Sequence, residues 1–71
     1  MKHSFELISG SSAKFWEIST NGNEVTVRFG RIGTEGQTQV KMLADAIEVA
    51  KHVNKLIRAK TAKGYRETTA C

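Results

Sequence analysis

Apolar residues recur at every second position as far as Met42, and at every third or fourth position from Val49 onward. This change of period constrains the fold more than any other feature. Period two belongs to a strand with one buried face, and a period near 3.6 to a helix with one buried stripe. A chain that spends its strands first and its helix last is steered to an α+β fold, with the helix packed across an antiparallel sheet. Residues 3–8 set Phe5 and Leu7 against Ser4 and Glu6, and residues 14–20 put Trp16 and Ile18 on one face. Residues 24–29 alternate Val25, Val27 and Phe29 with Glu24, Thr26 and Arg28, and residues 37–42 carry Thr38, Val40 and Met42 on one side. The expectation is a four-stranded antiparallel meander.

The connections carry turn chemistry. Ser9–Gly10–Ser11–Ser12 reads as a tight turn, and Asn21–Gly22 predicts a type I′ hairpin because both residues tolerate positive φ. Residues 33–36, Gly-Thr-Glu-Gly, predict a third hairpin. In the second half, Asp45 with Glu48 fits a capping box that opens a helix. Val49, Val53, Leu56 and Ile57 make its apolar stripe, with Lys51, Lys55 and Arg58 off it. Lys60 and Lys63 suit the negative end of the helix dipole, and Gly64 is placed to stop it. Tyr65 is then free to pack back or to add a short strand.

With 71 residues, the chain reads as one small domain, residues 1–71, its core at about 3–67. No apolar run approaches the roughly 20 residues that cross a bilayer. Glu6 and Ser9 interrupt any leader-like segment, so the expected location is the cytoplasm. Cys71 and two histidines fall short of a structural zinc site, so no metal or cofactor is expected. Cys71 reads as a frayed terminus, and His3 and His52 as structural or solvated side chains. No Ser-His-Asp or paired-carboxylate arrangement stands out. A chain this short has little room for a substrate cleft, so neither an enzyme nor a small-molecule substrate is expected.

Charge points elsewhere. The formal net charge is +4, and between Lys51 and Arg66 there are six cations and no acid. Such a run usually solvates a helix face, yet it also favours a polyanionic partner.

Gly30, Gly33 and Gly36 recur at intervals of three between two strands, with no helix directly after them. A phosphate-cradling loop needs a strand, then glycines, then a helix N-terminus, so nucleotide binding by that route is excluded. The hairpin accounts for Gly33 and Gly36. Gly30 sits inside the strand pattern, where a glycine marks a bulge or a close backbone approach; a bulge would re-aim Phe29 and Arg31.

These residues resemble the WGR domain, named for a Trp-Gly-Arg triplet. Lys14-Phe-Trp-Glu-Ile18, the run from Phe29 to Gln37, Lys55-Leu-Ile57 and Lys63-Gly-Tyr65 follow that family's order and spacing over about residues 3–67. The departure is Phe29, where the family has its name-giving tryptophan. The resemblance implies an antiparallel sheet with one helix across it, as in poly(ADP-ribose) polymerases, in bacterial proteins grouped with molybdate-metabolism regulators, and in stand-alone bacterial proteins. In the polymerases the Trp packs on the sugar-phosphate near a DNA break, and the Arg binds DNA or neighbouring domains. By position those roles fall to Phe29 and Arg31, with Gly30 as a backbone requirement. Lys14, Arg28, Gln39 and Lys41, on strands near the motif, are candidate phosphate contacts. The resulting expectation is a non-catalytic nucleic-acid-binding module that meets DNA ends or nicks without reading sequence. The alternative is a protein-interaction module that docks another domain or an acidic partner, or pairs as a homodimer.

Overall fold

The computed structural model describes residues 2–68, so the reading of Cys71 lies outside the described residues. Strands β1 (Lys2–Ser9), β2 (Ser12–Asn21), β3 (Glu24–Arg31) and β4 (Gln37–Met42) form the expected meander, followed by helix α1 (Ala46–Ala62). A fifth strand, β5 (Arg66–Glu67), pairs with the free edge of β1, so the sheet has five strands in the order β4-β3-β2-β1-β5 rather than four. Tyr65 packs back on the core and the chain beyond it adds the strand, so both options open to Tyr65 and its neighbours are taken.

Local chemistry explains most of the boundaries. Asn21 pairs with Glu24, so the second hairpin turns on Gly22–Asn23 and not on Asn21–Gly22. Gly22 has φ +62° and neither asparagine has positive φ, the pattern of a type II′ turn rather than the expected type I′. Asp45 caps α1 by accepting from the Glu48 amide at 2.9 Å. At the other end the Gly64 amide donates to the Thr61 carbonyl and the Tyr65 amide to the Lys60 carbonyl, both at 3.1 Å. With Gly64 at φ +105°, this is a Schellman ending.

The two faces of the sheet differ. Phe5, Trp16, Ile18 and Val25 face α1 and form the core with Val49 and Val53. Phe29, Val27, Leu56, Ile57 and Tyr65 are partly buried against it. The opposite face carries Phe15, Glu17, Arg28, Val40 and Met42, and β4 is exposed along its whole length. No helix among the described residues is long and apolar enough to cross a membrane, and no group of three or more His, Cys, Asp or Glu among them could hold a metal ion.

Gly30 resolves the choice left by the sequence. The β2–β3 register runs unbroken through Trp16–Phe29, Phe15–Gly30 and Lys14–Arg31, so there is no bulge. A Cβ on Gly30 would lie 2.8 Å from the Gly36 Cα and 3.6 Å from the Phe15 ring. On Gly36 it would collide with the Phe29 carbonyl and come within 2.8 Å of the Phe15 ring. The two glycines let the 32–36 loop fold onto the strand that precedes it, sealing Phe15 beneath. The Ile32 amide, donating to the Ala13 carbonyl at 3.0 Å, and Thr34, donating twice to the Arg31 carbonyl, fix the start of that loop.

Candidate nucleic-acid interface

With no bulge, strand alternation alone decides where the motif residues point. Phe29 and Arg31 stay on the helix side, directly opposite Trp16 and Lys14 on β2. Beyond the C-terminal end of α1 these residues line a groove of about 480 Å³ with Ser11, Lys60 and Tyr65. Phe29 and Trp16 also wall a second groove of about 430 Å³, which runs between α1 and strands β3 and β4. Gln39, Lys41 and His52 border that second groove, over Val25, Val27 and Leu56.

Lys60 reaches into both grooves. Its ammonium lies 5.7 Å from the Trp16 ring centroid and 5.5 Å from that of Tyr65, so two aromatic rings hold one cation at the mouth. The Schellman ending sets up this geometry, because it turns Tyr65 back beside the residue whose carbonyl its amide bonds. Partial desolvation, with the neighbouring Lys63 charge adding to it, lowers the Lys60 pKa below its ordinary 10.5. An anion bound there would oppose both effects, because an opposite charge favours the ammonium form.

Six of the seven residues expected at the site therefore gather on one side. Lys14, Phe29, Gly30 and Arg31 line the first groove, while Gln39 and Lys41 border the second. Arg28 is set apart from them. Its side chain projects from the opposite face, where Nε sits 3.2 Å from Glu17 Oε1 and the guanidinium covers the Phe15 ring at 4.8 Å. Period two dictates this, since Arg28 is one residue from Phe29. Trp16 has 3% of its surface exposed, as a core residue should, yet one edge of it finishes the groove wall. Lys60 and Tyr65 were not among the expected site residues. Their only sequence signal was the basic end of the helix and the Lys-Gly-Tyr run, and neither says which strands that end lies over.

The charge follows the same division. The face away from α1 balances Lys2, Arg28 and Arg66 against Glu6, Glu17 and Glu24, and Glu17 takes both Lys2 and Arg28 as ion partners. The whole excess of positive charge thus lies with α1, the groove side and the loops. Lys14 and Arg31 face each other across adjacent strands, and among the described residues no acidic side chain lines their groove. Such a surface attracts a polyanion and offers hydrogen-bond donors where it lands.

Comparisons with known proteins place the sequence and the fold in a family. The family model described as the WGR domain matches residues 1–71. Protein YehF of Escherichia coli K12 is 45% identical over 56 residues, covering 79% of this chain and 20% of that protein. The uncharacterized protein YfeS of the same organism is 37% identical over 67 residues, covering 94% of this chain and 28% of that one. A crystal structure of a Bacteroides fragilis protein superposes with a TM-score of 0.92 at 48% identity, covering 97% of this chain and 20% of the other. The chain thus spans between a fifth and just over a quarter of the length of these relatives. Matched by the family model from end to end, and carrying Phe29-Gly30-Arg31 where the family is named for Trp-Gly-Arg, this chain belongs to the WGR domain family.

Proposed function

We propose that this chain is a non-catalytic module that binds nucleic acid, meeting duplex DNA at ends and nicks in the cytoplasm without reading sequence. The observation that carries this reading is the convergence of Lys14, Arg31 and Lys60 around an aromatic-walled groove on the side with the excess positive charge. Arg31 presents five donors in a planar fork and takes a phosphate bidentately, while Lys14 and Lys60 act as point charges. Phe29 supplies an apolar face against a sugar or base, a contact indifferent to sequence. Gly30 serves as a backbone requirement, keeping the 32–36 loop clear of the groove. Lys41 and Gln39 extend the contact along β4. Neutralising about four to six phosphates makes the affinity fall steeply with salt.

The test is fluorescence anisotropy with intact, nicked and recessed duplexes at about 50 and 200 mM salt, wild type beside Arg31→Ala. Preference for ends or nicks, salt sensitivity, and loss with Arg31→Ala are the expected results. Absence of binding at low salt rejects the proposal.

A second reading, docking of a protein partner, draws on one observation. β4 is an open edge, and its Val40 and Met42 are 58% and 66% exposed on the face away from the basic grooves. Open edges of this kind pair with other strands. Light scattering coupled to size exclusion, at rising protein concentration, tests the homodimeric form of it.

A further inference from the structure

The groove between α1 and strands β3 and β4 differs from the cationic one beside it in having an apolar floor under its lysines. Its floor is apolar, made by Val25 and Val27 of β3 and Leu56 of α1, with Phe29 as the wall it shares with its neighbour. Its rim is polar and comes from two elements, Gln39 and Lys41 from β4 and His52 and Lys60 from α1. At about 430 Å³ it falls within the roughly 300–1,000 Å³ that binding clefts span, and its pattern of apolar walls with a few polar groups is that of a site for a flat organic ligand.

Three observations narrow the ligand. First, the groove opens directly onto the cationic one, with Phe29, Trp16 and Lys60 common to both, so a ligand in it lies beside the phosphate contacts. Second, the Gln39 amide and the His52 ring offer both a donor and an acceptor at the rim; a glutamine amide matches the N6 and N7 edge of adenine. Third, the wall residue is a phenylalanine where the family is named for a tryptophan, and an indole there would add a second ring to the wall between the grooves.

We infer that this second groove receives an unpaired nucleobase from a single-stranded end whose phosphates sit on Lys14, Arg31 and Lys60. The inference rests on the nucleic-acid reading above and sharpens it, from ends in general to ends with at least one unstacked base. The base enters against Phe29, lies over Val27 and Leu56, and turns its hydrogen-bonding edge to Gln39. Unpaired bases in DNA and RNA share this chemistry.

The test uses the full chain and fluorescence anisotropy at constant low salt. The probes are a blunt duplex, the same duplex with a three-adenine overhang, and the same overhang built of abasic sites, in DNA and with an RNA overhang. The abasic overhang keeps every phosphate and removes only the bases. The adenine overhang should bind at least about fivefold tighter than the abasic one, the low end of what stacking of one base contributes. Gln39→Ala, on the exposed edge strand, should level adenine with thymine overhangs. Phe29→Trp should shrink the base-dependent ratio while duplex binding persists. A base-dependent ratio with only one of the DNA and RNA overhangs supports the inference and names the source. Adenine and abasic overhangs within twofold of each other, or a ratio unchanged in Phe29→Trp, overturn it while leaving the phosphate reading intact. Failure of every probe to bind overturns both.

Discussion

Replacing Gly30 with alanine isolates what the middle residue of the motif does. The added Cβ would stand 2.8 Å from the Gly36 Cα, against about 3.5–4.0 Å for unstrained carbon pairs, so about 1 Å must be found. The obstacle is backbone, not the free end of a side chain. The approach is close on both sides of the contact, since a Cβ built on Gly36 would in turn run into the Phe29 carbonyl and the Phe15 ring. The strand and the 32–36 loop must therefore part, with a penalty in the overpacking range of about 1–3 kcal/mol. A domain of 71 residues holds about 4–10 kcal/mol in total, so the loss is a large share of it. At about 4–8 °C per kcal/mol, the melting temperature should fall by about 4–24 °C. Trp16, the sole tryptophan and 3% exposed, reports urea unfolding directly by its fluorescence. A lower midpoint with an unchanged slope is the expected result. A loss below about 0.5 kcal/mol, the ordinary scatter of surface substitutions, would refute the packing argument and leave Gly30 as a residue that only a ligand requires.

The remaining predictions separate cap, charge and face. Asp45→Ala removes the acceptor of the Glu48 amide and should destabilise by about 1 kcal/mol in urea melts without changing DNA affinity. Gly64→Ala forces a Cβ onto φ +105° and to 3.3 Å from the Leu7 side chain; it should destabilise by about 1 kcal/mol or more and, by shifting Tyr65 and Lys60, also weaken DNA binding in anisotropy. Arg31→Ala should lower the slope of log affinity against log salt by about one, whereas Arg28→Ala, on the other face, should leave that slope unchanged. Lys60 titrates lower in the folded chain than at its ordinary 10.5, so between those two values the unfolded state binds more protons and stability rises with pH. The urea midpoint of wild type should therefore gain on that of Lys60→Met as pH climbs through this window, and a flat difference would count against Lys60 being desolvated at the groove.

The sequence by itself determined the elements, because the forces that make them act over a few residues. Alternation fixed four strands and the face each side chain takes, including the separation of Arg28 from Phe29 and Arg31. The Asp45 cap and the Gly64 stop set the ends of α1, since both are contacts within four or five residues. The second turn sits one residue beyond Asn21–Gly22 because Gly22 and its two flanking asparagines allow two registers, and the pairing of whole strands chooses between them. Tertiary structure alone decided the rest. β5 exists because the chain leaving α1 meets the free edge of β1, and two residues carry no strand signal without that partner. Gly30 is required by Gly36, six residues away across a loop whose path alternation does not describe. Lys60 and Tyr65 join Lys14, Phe29 and Arg31 because the apolar stripe of α1 docks on the sheet at one particular angle. That angle depends on side chains from every strand at once, so no local window of the sequence contains it.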